Sequence, residues 1–268
     1  MIKTLKRVLT GGLLCCIAVL PASAGWAENE KHIFFSGYEW EVKSGYYGPG
    51  KNNWSPDNVW VDKDGLLHLK ITRAGDQWYC AELLSVDRFA YGGYLFQVIG
   101  AIDQLDPNLV LGLFVYPDDG NPDPDNELDI EFTRWGEPEG PVGHYTVTQA
   151  EETHRFPFSL AGTYTTHRFV WSADNVLFQS FHGHTDKATS EFQRWLYRAD
   201  DYEEQITVPP VRVHMNLWLF RGTPPLNGEE QEIVVKKFQF LAPEDGKKKT
   251  AANDSQDRMS RDALPARK

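Results

Sequence analysis

Glu127-Leu128-Asp129-Ile130-Glu131-Phe132 alternates acidic and apolar side chains without a break. A period of two predicts a β-strand with divided faces. Leu128, Ile130 and Phe132 turn toward a packed layer, and Glu127, Asp129 and Glu131 stand side by side on the other face. Like charges crowded on one face repel, so stability alone gives little reason for the pattern. At about 3.3 Å per residue the Cα atoms of Glu127 and Glu131 lie about 13 Å apart. Each side chain leans along the strand by roughly 4 Å, which leaves the carboxyls about 5 Å apart. A retaining glycosidase sets its nucleophile and its acid/base about 5–5.5 Å apart, and an inverting one needs more room. Asp129, between them, can hydrogen-bond either, and coupled carboxylates titrate apart. The hexapeptide alone is also compatible with a solvated acidic strand face, or with a site for a hard cation such as calcium or magnesium.

The flanking sequence reads as more strands. Upstream they are expected over 32–41, 58–62, 66–72, 77–85, 91–99 and 110–116, with a turn-rich loop over 46–54 and a Pro/Asp/Gly loop over 117–126. Downstream they are expected over 144–148, 165–171, 176–181, 211–218 and 233–240. Only residues 190–202 suggest a helical turn or short helix. Many short strands separated by turn residues predict an all-β sandwich or jelly roll.

The chain has 268 residues and a formal net charge of -11, an acidic balance that argues against nucleic acid as a partner. Lys3, Lys6 and Arg7, the apolar run from Val8 to Leu20 and the small residues to Ala24 read as a secretory signal peptide within residues 1–27, cut after Ala24 or Ala27. No later stretch is long and apolar enough to span a membrane. The product is expected in the periplasm or the medium. Cleavage removes Cys15 and Cys16 and leaves Cys80, so no internal disulfide is expected. Residues 28–242 are ample for one domain, expected to be monomeric, and 243–268 form a polar, disordered tail.

Nine Trp and eleven Tyr suit a groove that stacks sugar rings, and equally a core between two sheets. His144, His167, His182 and His214 lack zinc-ligand spacing and read as core or edge residues. No nucleophile elbow and no phosphate-loop spacing is present.

Several further blocks, in order, resemble glycoside hydrolase family 16, the laminarinase and lichenase-type enzymes. They are Trp54-Ser55 with Asn58-Val59, Gly65-Leu66-Leu67-His68-Leu69, Tyr91-Gly92-Gly93-Tyr94, His167 to Ser172, and Met215-Asn216-Leu217-Trp218, beside the acidic strand itself. The resemblance runs from about Trp40 to Phe240. It implies a concanavalin-like β-jelly roll of two antiparallel sheets with a concave cleft, acting on a polysaccharide. It also implies Glu127 as nucleophile, Glu131 as acid/base and Asp129 as the residue that positions and tunes them. Asn216 and Trp218 would contact the donor sugars, Glu82 would bind a sugar hydroxyl, and Asn53 and Tyr47 would reach the cleft. Asp125 and Leu84 replace a Trp and an Arg of the lichenases, so a mixed-linkage glucan is not assigned and a binding protein or a transglycosylase stays open. Lys236 stands where the family's calcium ligand is expected. No metal and no cofactor is therefore expected.

Overall fold

The computed structural model describes residues 31–117, 126–198 and 206–243. The expected signal peptide, Asp125 and the tail beyond Pro243 lie outside them. In chain order the strands are β1 Lys31–Phe35, β2 Tyr38–Val42, β3 Gly45–Tyr47, β4 Asn52–Trp54, β5 Val59–Val61 and β6 Leu67–Ala74. There follow β7 Gln77–Ser85, β8 Gly92–Ile99, β9 Leu109–Pro117, β10 Leu128–Thr133, β11 Gly143–Val147 and β12 Glu152–Phe156. The last are β13 Tyr164–Trp171, β14 Asn175–His182, β15 Glu191–Arg198, β16 Val211–Leu219 and β17 Gln231–Leu241.

The architecture is the expected all-β jelly roll. One antiparallel sheet runs β1-β2-β7-β16-β9-β10-β11-β12. The other runs β5-β6-β17-β8-β13-β14-β15. The short hairpin β3-β4 attaches through β4, which pairs in parallel with β7. Alternation sorts the side chains as the acidic strand predicts. Leu128, Ile130 and Phe132 are fully buried, together with Leu111 and Leu113 of β9 and Val213, Met215 and Leu217 of β16. They join Phe96, Val98, Phe169 and Phe178 of the second sheet in one hydrophobic core. A polar chain crosses that core. The Tyr145 hydroxyl lies 2.6 Å from Ser180 Oγ, which lies 2.7 Å from His167 Nδ1, whose Nε2 lies 2.8 Å from Thr165 Oγ1. Burial pulls the His167 imidazole down to about 3, so it stays neutral. Its expected core position is what the structure shows.

Three expectations need correction. The first strand is a hairpin: Ser36 and Gly37 take φ of 54° and 86°, the left-handed pair that a two-residue hairpin turn demands, and Phe35 faces Tyr38. The loop over 46–54 contains β3 and β4. The helical turn expected over 190–202 is found only at Ser190, the last residue of a 3-10 turn over Ala188–Ser190, and 191–198 form β15. Phe192, Trp195 and Leu196 are spaced like a helical face. Pairing with β14 turns Trp195 onto His154 and Phe178 and leaves Leu196 exposed. Lys236 is exposed at the irregularity in β17 between Val235 and Lys237. Among the described residues no helix is long and apolar enough to cross a membrane.

Candidate active site

The outer face of the first sheet lines a groove of about 1320 Å³. Antiparallel pairing carries its residues across the sheet in rows. Glu82, Asn216, Gly112, Glu131 and His144 stand opposite one another on β7, β16, β9, β10 and β11. The adjacent row is Leu84, His214, Phe114, Asp129 and Thr146. Glu127, just ahead of β10, completes the acidic trio on the floor. All three acids line the same groove.

The main chain entering β10 is tied down firmly. Asn126 exchanges two hydrogen bonds with Val208: its Nδ2 donates to the carbonyl at 2.8 Å, and its Oδ1 accepts from the amide at 2.7 Å. The Glu127 carbonyl accepts from Thr148 N and from Thr207 Oγ1, each at 3.2 Å. The Glu127 and Asp129 carboxyls share a hydrogen bond. Asp129 also accepts one from Thr148 Oγ1 at 3.0 Å.

Burial pushes all three acids upward. Glu127 is raised by burial first and then by the charge of Asp129, and Glu131 by the same two causes. Burial lifts Asp129 to about 6 against the hydrogen bonds from Glu127 and Thr148. The trio therefore retains protons into the neutral range, which suits one acid that donates a proton beside another that attacks.

Glu82 is buried and both of its oxygens are engaged, one by Lys43 Nζ at 2.8 Å and the other by His214 Nδ1 at 3.1 Å. Burial pushes this carboxyl up, but the His214 hydrogen bond and the Lys43 charge outweigh it, and the net shift is downward. Asn216 is buried, and its Oδ1 has no hydrogen-bond partner among the described residues. Its amide leans over Gly112, where an added Cβ would collide with that oxygen. Trp218 lines the groove and meets Trp135 edge-on, ring centroids 6.3 Å apart.

Tyr47 is exposed and lines the groove. Asn53 departs from expectation. It lies outside the groove lining, and its Nδ2 donates to Trp78 O at 3.2 Å. In the short strand β4 its neighbour Asn52 takes the inward position instead, donating to Leu219 O at 3.0 Å.

Several groove residues escaped the sequence reading. Arg212 and His214 share the face of Asn216 and Trp218 by simple alternation, and that parity was available to find them. His144 is placed beside Glu131 only by register. Both histidines are buried, as a core reading expects, but they face the groove. Trp135 holds a left-handed φ of 52° just after β10, a conformation uncommon for a bulky residue and found at functional sites.

No family model and no curated protein matches the sequence. Solved structures do match. A Bacillus licheniformis β-glucanase superimposes with a TM-score of 0.57, over 79% of this chain and 95% of its own, at 21% identity. A Bacteroides ovatus family 16 endo-glucanase does so at 0.56, over 78% and 97%, at 18% identity. An immunostimulatory antigen and pseudo β-1,3-glucanase of Mycobacterium tuberculosis does so at 0.57, over 75% and 90%, at 17% identity. The fold is that of the glycoside hydrolase family 16 β-glucanases.

Proposed function

We propose that this protein is an exported, endo-acting glycoside hydrolase that cleaves a β-linked polysaccharide, glucan-like or an exopolysaccharide, with retention of configuration. The observation that carries the reading is the acidic trio on one groove floor, with Glu127 hydrogen-bonded to Asp129. The groove also has the length of a polymer site. Its lining reaches from Glu41 on β2 to Arg155 on β12, six strand spacings or about 29 Å.

In this reading Glu127 attacks the anomeric carbon while the bond to the leaving oxygen breaks, and Glu131 gives that oxygen its proton. Glu131, now ionised, then takes a proton from water, whose oxygen displaces Glu127 from the same carbon. Two inversions restore the starting configuration. The first step needs Glu127 ionised and Glu131 protonated. The proton that Glu127 shares with Asp129 must therefore pass to Asp129, which Thr148 positions, for Glu127 to attack. Trp218 and Asn216 hold the donor sugar, Asn216 by accepting a hydroxyl proton at its otherwise unpartnered oxygen.

Incubation with a panel of β-linked polysaccharides, followed by proton NMR of the first products, tests this. Newly formed reducing ends should appear first as the β anomer. Initial α product, or no release of reducing ends from any polymer, refutes it. The pseudo-glucanase among the similar structures, together with Glu82 already engaged by Lys43 and His214, favours one rival reading, a carbohydrate-binding protein on the same scaffold. Its mark is binding without turnover, unchanged by Glu131→Gln. Products longer than the starting oligosaccharide identify transglycosylation.

Gly112 makes a sharp subsidiary prediction. Gly112→Ala should turn the Asn216 amide away from the sugar and lower kcat/KM about tenfold or more. The double variant with Asn216→Ala should then be no worse than Asn216→Ala alone. Additive losses in that double-mutant cycle would show that Gly112 acts by another route.

A further inference from the structure

Among the described residues, Lys43, Arg155 and Arg212 line the groove, and two of them are neutralised. Lys43 pairs with Glu82 at 2.8 Å, and Arg212 pairs with Glu41 at 2.9 Å. The third, Arg155, has no carboxylate partner among the described residues. It lies directly opposite His144, which lies directly opposite Glu131, so Arg155 stands two strands, or about 10 Å, from the proposed acid/base. Among the described residues no carboxylate between them cancels its charge. His144 is pulled down by burial, with the Arg155 charge contributing, and is neutral. The hydroxyls of Thr146 and Thr153, 3.2 Å apart, lie in the same wall.

From this arrangement we infer that the end of the groove over β11 and β12 binds an anionic substituent on the leaving part of the chain, a carboxylate or a sulfate ester. The inference rests on the proposed glycosidase reading for its direction. With the donor sugars held by Asn216 and Trp218 on β16, a chain that passes over Glu131 continues over His144 toward Arg155. A guanidinium offers a planar pair of N–H donors matched to two oxygens of one anion. Exposed at the groove edge, Arg155 has those donors available for a substrate. The natural substrate is thus an acidic polysaccharide with its charge on the leaving side of the cleaved bond.

The test uses acidic β-linked polysaccharides in matched pairs, a uronate-bearing chain before and after carboxyl reduction and a sulfated chain before and after desulfation. Wild-type kcat/KM should be about tenfold or more higher on the charged member of at least one pair, and the pair that responds identifies the anion. Arg155→Gln should collapse that ratio toward one, and added salt should do the same to wild type. Measurable but equal rates within both pairs, or a ratio untouched by Arg155→Gln, overturn the inference. Affinity electrophoresis of the Glu131→Gln protein in gels holding each polymer separates it from the parent reading. Retardation by the charged chain that Arg155→Gln abolishes, in a wild type without turnover, sinks the hydrolase and keeps the anion site. Absence of retardation by any charged chain sinks the anion site.

Discussion

Glu127→Gln should lower kcat by about 10⁴-fold or more while the thermal midpoint and glycan binding hold near wild type, since a group that forms the covalent intermediate has no substitute. The amide keeps the shape of the carboxylate and can still hydrogen-bond Asp129, so the loss reports chemistry and not collapse of the floor. The shorter Glu127→Ala tests the assignment more severely. It leaves a gap beside the anomeric carbon. With an aryl glycoside as substrate, azide should enter that gap and yield a glycosyl azide of inverted configuration. Mass spectrometry and NMR of the product read this directly. An active Glu127→Gln enzyme, or azide rescue appearing at Glu131→Ala with inversion instead, would move the nucleophile elsewhere.

Glu131→Gln should abolish cleavage of unactivated polymer and, at the same time, stabilise the fold near neutral pH. Burial and the Asp129 charge raise the native Glu131 well above the ordinary glutamate value of 4.5. Below that value the group is protonated both folded and unfolded and contributes no pH dependence. Above it the unfolded chain releases the proton and the native chain keeps it. Stability therefore falls as pH rises, until the native group also ionises. The slope is at most about 1.4 kcal/mol per pH unit for one proton. Glutamine has no proton to retain. The variant's advantage in urea or thermal unfolding should accordingly be small at pH 4 and grow through pH 5 to 7. An advantage that is flat with pH, or greatest in acid, would mean that Glu131 is not a buried acid of raised pKa.

Most strands were legible because alternation survives wherever one face is buried. β7 was bounded correctly from its sequence, and β10 differs from its reading by one residue at each end, with Glu127 outside it and Thr133 inside. Four strands were overlooked, β3, β4, β12 and β15, and the last two each pair with one neighbour among the described residues. Their side chains are half solvated, so Glu152 to Phe156 carries little hydrophobic period, and β15 carries a misleading one. The acidic trio was visible because its residues share one strand. Its surroundings were not, because they depend on register. Nothing local says that His144 lies opposite Glu131, that Arg155 lies beyond it, or that Gly112 leaves room for Asn216. Asn53 failed because β4 lies away from the groove lining, a placement set by its pairing with β7 and not by any local pattern.

The anchoring of Glu127 has a consequence for how activity can be adjusted. Its carbonyl accepts from Thr207, and the side chain of Asn126 before it exchanges hydrogen bonds with Val208, both some eighty positions later in the chain. In the proposed mechanism the reach of the Glu127 carboxyl depends on a segment that belongs to the approach to β16 and lies outside the groove lining. Such a remote moorage separates the tuning of rate from the tuning of recognition: changes in 206–208 can draw the carboxyl a fraction of an ångström nearer or farther while every surface that grips the polymer stays as it was.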